Sequence, residues 1–320
     1  MPARRRAAFA LLGLLVGVIL AACGRADRSD RAPVIIATGG TQGVYYSYGV
    51  GLAQQLERSG TASSAAAVTT EGSLENIRLV ASGRADFGFC AADAAADAAT
   101  GRSNFAGDPQ PIRAVARLYD DYIHLVVPAA SLLQQPGDLR GHRVAIGSAG
   151  SGTALIATRI LYAAGLTPAV DVATQPLGLQ DAIDALRGGT VDAFFWSGGL
   201  PTAGISDLAA TTPVRLLSLT SVVDALRTIY GSTYRVARVP AGTYPGVEPV
   251  TALALANYLI TNTAADDGLV AEVTRLLQEQ RTAIAERAPI AATFDLRSAI
   301  FTSPVELHPG ATQYFRSVKP

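Results

Sequence analysis

Sulfur and imidazole are scarce in this chain. Among 320 residues there are two cysteines and three histidines. His124, His142 and His308 stand apart from one another, and none shows the spacing of a metal-ligand set. His308, beside Pro309-Gly310, reads as a loop or capping residue. An excess of charge of one sign is also missing, since 26 Lys and Arg offset 26 Asp and Glu. Without the early arginines Arg4, Arg5 and Arg6 the balance turns slightly acidic. That excludes the basic surface that nucleic acid demands. Beyond the first two dozen residues no apolar run is long and charge-free enough to span a membrane.

Signatures of phosphate chemistry and covalent catalysis are lacking too. Gly147 and Gly152 have the glycine spacing of a P-loop, but Thr153 stands where the lysine must be. Neither glycine turn of the chain carries the three spaced glycines of a dinucleotide site, and no serine sits in a nucleophile elbow. Cys90 follows Phe87-Gly88-Phe89 without a histidine near it in sequence. It reads as a small buried hydrophobe rather than a nucleophile. No pair of titratable groups suited to acid-base work stands out. No enzyme, no cofactor and no metal is therefore expected.

What is present begins with an export signal. Arg4 to Arg6 precede an uncharged apolar run, Ala7 to Leu20, which is too short for a comfortable bilayer span. Leu20-Ala21-Ala22-Cys23 then reads like a lipobox, with Cys23 lipidated after cleavage; the alternative is a plain secretory signal that happens to contain a cysteine. Residues 1–22 are assigned to the signal and 23–32 to a lipid-anchored tether, whose alternating Arg and Asp suit a flexible segment. The rest is long enough for two domains.

Strands alternate with helices along that remainder. Val34 to Thr38 is a strand, followed by Gly39-Gly40 and a helix with Val44, Tyr48, Leu52 and Leu56 at a spacing of four. Ser73 is expected to cap the next helix, and Asp86 to Phe89 to start a strand. Val115 to Val127 is read as two strands broken by Asp120-Asp121, the second passing between lobes. Further strands are expected at Arg143 to Gly147, Val170 to Val172, Val191 to Trp196, Leu216 to Leu219 and Val250 to Ile260. Amphipathic helices are expected at Leu179 to Leu186 and Leu269 to Ile284. This alternation predicts mostly parallel sheets covered on both faces. The fold class is thus α/β, with two lobes and a ligand in the cleft between them. Lobe I is placed at 33–125 with 236–320, and lobe II at 126–235.

Two glycine turns carry the expected chemistry: Gly39 to Gly43, and Gly147 to Thr153. Each joins a strand to a helix. Glycine lets the backbone approach a ligand, and the helix behind offers free N–H groups and the positive end of its dipole. Such an end holds a carboxylate or phosphate without a lysine. Either turn alone could equally be a tight connection with no ligand. If the two lie in separate lobes, both helix ends can face one cleft at the strand carboxyl ends. Trp196, the one tryptophan, ends a strand ahead of Ser197-Gly198-Gly199, and could line the cleft or fill the core.

These residues resemble the TAXI family of TRAP transporter solute-binding proteins. The resemblance runs from about Ile35 to about Phe315. It is carried by Ile36-Ala37-Thr38-Gly39-Gly40-Thr41 with Gly43-Val44-Tyr45-Tyr46, by Gly72-Ser73-Leu74-Glu75-Asn76-Ile77 and by Ala81-Ser82-Gly83-Arg84-Ala85-Asp86. Gly150-Ser151-Gly152-Thr153, Asp192-Ala193-Phe194-Phe195, Gly199-Leu200-Pro201-Thr202 and Leu307-His308-Pro309-Gly310-Ala311 extend it. The resemblance implies a hinged periplasmic receptor without catalysis, which delivers a small anionic metabolite such as glutamate or 2-oxoglutarate to a TRAP membrane permease. It implies ligand contacts at Gly40, Thr41, Gln42, Gly43 and Tyr46, at Ser73 and Ala92, at Gly150, Ser151, Gly152 and Thr153, and at Trp196 and Ser197. Gln42, Glu71 and the pair Ala91-Ala92 depart from the family pattern, which leaves the identity of the anion open. A periplasmic sensor presenting a solute to a signalling receptor is the alternative use of the same fold.

Overall fold

The computed structural model describes residues 32–231 and 233–318. The expected signal segment, Cys23 and nearly all of the tether lie outside the described residues. The strands are, in chain order, β1 (Val34–Ala37), β2 (Ala65–Val68), β3 (Phe87–Ala91), β4 (Ile112–Pro128), β5 (Arg143–Ala145), β6 (Ala173–Gln175), β7 (Ala193–Gly198), β8 (Val214–Leu216), β9 (Arg235–Val239) and β10 (Val250–Asn262). The α-helices are α1 (Val44–Arg58), α2 (Ser73–Ala81), α3 (Ala92–Thr100), α4 (Gly152–Ala163), α5 (Leu179–Arg187), α6 (Ala203–Thr211), α7 (Val223–Tyr230), α8 (Asp267–Glu279), α9 (Arg281–Ala285), α10 (Leu296–Ala299) and α11 (Pro309–Ser317). Among the described residues no helix is long and apolar enough to cross a membrane.

The strands run in the order β2-β1-β3-β10-β4-β7-β5-β6, with β8 on β4 and β9 on β10. Two sets of short parallel strands, β2-β1-β3 and β7-β5-β6, hang on a central antiparallel ribbon of β4 and β10. The joined sheet is mixed, and within each wing the strand set is parallel, as the alternation predicts. Register places the sets at opposite ends of the ribbon. Phe87 to Ala91 of β3 pair with Thr261 to Asn257 of β10, whereas Phe194 to Gly198 of β7 pair with Val126 to Tyr122 of β4. We call the two ends the first and second wings. Their packing follows from composition: all five residues of β3 are buried. Tyr48, Leu52 and Leu56 of α1 share one core cluster with Ile36, Phe87 and Phe89. A second apolar cluster, with Ile77, Leu125, Val144, Leu161 and Leu255, runs through both wings.

Four sequence expectations need correction. Asp120-Asp121 do not break β4, which continues through them as one 17-residue strand. Successive side chains of a strand point to opposite faces. Asp120 meets Arg117 at 2.7 Å and also pairs with Arg235, while Asp121 turns to the other face and is buried. Residues 170–172 form a turn, not a strand. Asp171 accepts the Thr167 N–H at 2.8 Å and pairs with Arg140, which closes that turn and leaves Ala173–Gln175 as β6. Ser73 does not cap α2. The N-cap is Gly72, at φ +116°, and the Ser73 hydroxyl instead accepts the Ala91 N–H at 3.1 Å. The helix expected over Leu269 to Ile284 divides at Gln280 (φ −105°) into α8 and α9. His308 is a capping residue, as expected: its Nδ1 accepts the Gly310 N–H at 3.2 Å. Cys90 is fully buried, and burial pushes its thiol up, so it packs as an apolar residue.

A buried ionic cluster ties the wings together on one side. Arg159 of α4 reaches Asp93 of α3 at 3.2 Å, pairs with Asp97, and donates to the Tyr234 hydroxyl at 2.8 Å. Its guanidinium lies 4.4 Å from the centre of the Tyr230 ring. Removing one partner of such a group leaves uncompensated charge in the interior. Arg159→Ala is expected to lower the unfolding free energy by about 3–5 kcal/mol in a denaturant titration. The exposed Arg84→Ala should change it by no more than about 0.5 kcal/mol.

Candidate functional site

The carboxyl ends of both strand sets meet at the middle of the ribbon. β3 stops at Ala91 opposite Asn257, and β7 stops at Gly198 opposite Tyr122. The loops that follow β1 and β5 lead there as well. Between them is a cavity of about 350 Å³. That is room for a small metabolite, in the place where open α/β sheets take their ligands.

Four helices start at this cavity. Gly43 is the N-cap of α1, Gly72 of α2, Ser151 of α4 and Gly178 of α5, and all four residues line it. Three of these ends have no side-chain cap. Ser151 caps its own helix, accepting the Ala154 N–H at 3.0 Å. Uncapped N–H groups and aligned helix dipoles make the cavity attractive to an anion. The α2 and α4 ends touch: the Leu74 N–H donates to the Gly150 carbonyl at 3.2 Å. A Cβ on Gly152 would stand 2.7 Å from the Ser73 hydroxyl oxygen. A side chain at 152 would therefore push the Ser73 hydroxyl off the Ala91 N–H.

The floor comes from the ribbon. Tyr119 and Asp121 of β4 lie two residues apart on one face, and Asn257 of β10 pairs with Tyr119. Tyr45, in the first turn of α1, stacks on Phe89 with ring centres 5.4 Å apart and donates its hydroxyl to Asn257 Oδ1. Ser197 donates its hydroxyl to Asp121 Oδ2 at 3.2 Å, and its N–H to Thr153 Oγ1 at 3.3 Å. Three buried polar atoms here have no protein partner: the Tyr119 hydroxyl, Asp121 Oδ1 and Asn257 Nδ2. Burial raises the Asp121 carboxyl to about 7, against the opposing influence of Asn257 and Ser197. Among the described residues, none that lines the cavity is Lys, Arg or His and three are acidic, Asp121 at the floor and the exposed Glu71 and Asp181.

Of the residues named from sequence, the structure brings Gly40, Thr41, Gln42, Gly43, Ser73, Ser151, Gly152, Thr153, Trp196 and Ser197 to the cavity. It does not bring Tyr46, Ala92 or Gly150. Tyr45 takes the place of Tyr46, because Tyr45 and Tyr48 share the inward face of α1 and both meet Phe89. Ala91 takes the place of Ala92, which is buried inside α3. Gly150 serves through its carbonyl, as the bridge to Leu74. Trp196 does both jobs considered for it: it lines the cavity and packs against the second-wing core, its N–H donating to Thr202 at 3.2 Å. Sequence reasoning missed Tyr119, Asp121, Asn257 and the start of α5. The available signals were the Asp120-Asp121 pair and Asn257 inside mostly buried strands, and Gly178 ahead of an amphipathic helix.

His124, further along β4 from Asp121, is buried. Burial lowers it to about 4, so it is neutral, and its Nε2 contacts the Tyr244 hydroxyl at 2.9 Å. Among the described residues no group of three or more His, Cys, Asp or Glu is placed to hold a metal ion.

The raised Asp121 has a consequence for stability. Its folded pKa lies above the usual 3.8, so the folded chain binds more protons than the unfolded one between about pH 4 and 7. Stability is greatest below that window and is lost as pH rises through 7. The ligand-free protein is expected to melt at lower temperature at pH 8 than at pH 5. Asp121→Asn should flatten that slope, by an amount on the order of a few kcal/mol at pH 8. Thermal melts of both proteins across pH 5 to 8 check this; parallel slopes would contradict it.

Among solved structures, the chain is similar to a binding-protein component of an ABC phosphonate transporter from Pseudomonas aeruginosa. The identity is 11% and the TM-score 0.55, covering 83% of this chain and 80% of that one. It is also similar to the periplasmic binding protein BugD, at 15% identity and a TM-score of 0.53, covering 89% and 93%. A third likeness is to the ligand-binding core of GluR0 in complex with L-glutamate, at 14% identity and a TM-score of 0.50, covering 83% and 99%. At such identity these likenesses establish the fold, which is that of periplasmic binding proteins. The sequence profile of the NMT1-like family matches residues 36–318, and the chain belongs to that family.

Proposed function

We propose that this chain is an extracytoplasmic solute-binding receptor that captures a small carboxylate between two lobes and delivers it to a TRAP-type permease. The observation that carries the reading is the convergence of four helix N-termini, from both wings, on one cavity without a cationic side chain. Backbone N–H groups, with the hydroxyls of Ser73, Ser151 and Thr153, would hold the carboxylate. The delivery step rests on the TAXI resemblance, as does anchoring through lipid on Cys23. Lobe I is 33–125 with 236–320 and lobe II is 126–235, with one adjustment. Val239, Tyr244, Val247 and Ala252 pack in the core cluster of the second wing, which favours a crossing inside β10. A second reading, delivery to an ATP-driven transporter, draws on the likeness to the phosphonate-transporter component. Uptake driven by an imposed ion gradient would favour the first reading, and uptake that requires ATP the second.

The binding claim is tested by thermal shift and calorimetry with mono- and dicarboxylates, amino acids, and cationic and neutral controls. A ligand at about a thousand times its Kd should add about 4 kcal/mol to stability. Stabilisation only by solutes that lack a carboxylate would contradict the proposal. Gly152→Ala sets a methyl group against the Ser73 hydroxyl at the cavity wall and displaces it. It is expected to weaken affinity for the best ligand by about tenfold or more, an effect of roughly 1.4 kcal/mol, while leaving the folded spectrum unchanged.

A further inference from the structure

We infer that Asp121, at the floor of the cavity, is the recognition group for a protonated amine, so that the captured solute is an amino carboxylate and not the corresponding oxo acid. The inference deepens the carboxylate-binding proposal and rests on it. Three observations carry it. Asp121 is 5% exposed, and its Oδ1 has no protein partner. Among the described residues no cationic side chain lines the cavity, so only neutral groups, the Ser197 hydroxyl on Oδ2 and the Asn257 amide, answer that carboxylate. The second polar orphan, the Asn257 amide, has its orientation set by the Tyr45 hydroxyl on its oxygen; its NH2 stands beside Asp121, whose carboxyl it lowers, and has no close hydrogen-bond partner.

An ammonium on Asp121 Oδ1, with a ligand oxygen on Asn257 Nδ2, satisfies both orphans at once. The ligand carboxylate then faces the helix ends above. Donors sit over acceptors at the floor, and the net charge of the solute is divided between two surfaces of opposite sign. An oxo acid of the same shape offers no positive group and would leave a buried carboxylate beside a carbonyl oxygen, both of them acceptors.

The surrounding groups sharpen the expectation. Tyr45 from α1 and Tyr119 from β4 face Asp121; neighbouring Asp120 points away to Arg117 and Arg235; Glu71 and Asp181 lie at the exposed mouth. None of the groups that face Asp121 is a cation. The ligand-free carboxyl, raised by burial, is therefore partly protonated near neutrality. An ammonium arriving beside it would expel that proton to solvent, so binding should release protons at pH 6 to 7.

The test compares matched pairs that differ only in amine against keto oxygen: L-glutamate with 2-oxoglutarate, L-alanine with pyruvate, and L-leucine with 4-methyl-2-oxopentanoate. Calorimetry on the whole protein is run at pH 6.5 in two buffers of different ionisation enthalpy. The expected result is that the amino member of at least one pair binds about tenfold or more tighter than its oxo partner, with net proton release. Asp121→Asn should erase that preference by weakening the amino member while sparing the oxo acid. If the variant fails to fold, proton release by the wild-type protein still decides the matter. Oxo acids binding as well as or better than amino acids would overturn this inference alone, as would an unchanged preference in Asp121→Asn or binding without proton release. Failure of every carboxylate to bind would overturn both this inference and the proposal beneath it.

Discussion

The antiparallel pairing of β4 with β10 is the constraint on which the rest of the molecule depends. Ten residue pairs, from Leu253 with Ile123 to Asn262 with Ile112, hold the two strands together through both wings. Because β3 attaches near one end of this ribbon and β7 near the other, the carboxyl ends of both parallel sets face its middle. The cavity, its floor and its four helix ends follow from that single register. Register shifts on either side of Tyr258 and Leu259 interrupt the pairing just beside Asn257. Such irregularities re-aim side chains, and here the buried Asn257 is left facing the floor.

The ribbon also explains how one strand can carry different polar chemistry on its two faces. Alternation sends Asp120 to a face where Arg117 and Arg235 answer it, and Asp121 to a face where no cation does. Two adjacent aspartates of identical sequence context thus come to differ in electrostatics. The cavity is consequently two-signed. Dipole ends of α1, α2, α4 and α5 make its upper surface positive, and Asp121 makes its floor an acceptor. Selection of a solute in such a space depends on where its charges sit rather than on its net charge.

Much of the fold was legible in the sequence, because the signals there are local. The alternation of apolar runs, glycine turns and amphipathic helices located most of the parallel strands and their helices. The two glycine turns marked cavity walls that lie in different wings. What was not legible was long-range. The Asp120-Asp121 pair looks like a break until the partner strands on each face are known. Asn257 looks like a flaw in a buried strand until Tyr45 reaches it. Tyr45 and Tyr46 are indistinguishable by composition; only the inward face of α1, fixed by packing on Phe89, separates them. The buried Arg159 cluster was equally hidden, since its partners are 56 to 75 residues away along the chain.

The central claim is that a carboxylate solute binds in the cavity between the wings. Trp196, the single tryptophan of the chain, lines that cavity and reports on it directly. A fluorescence titration with the solute that calorimetry identifies should give a saturable change in tryptophan emission with the same Kd. Binding detected by calorimetry with no change in Trp196 emission would place the ligand elsewhere and contradict the account.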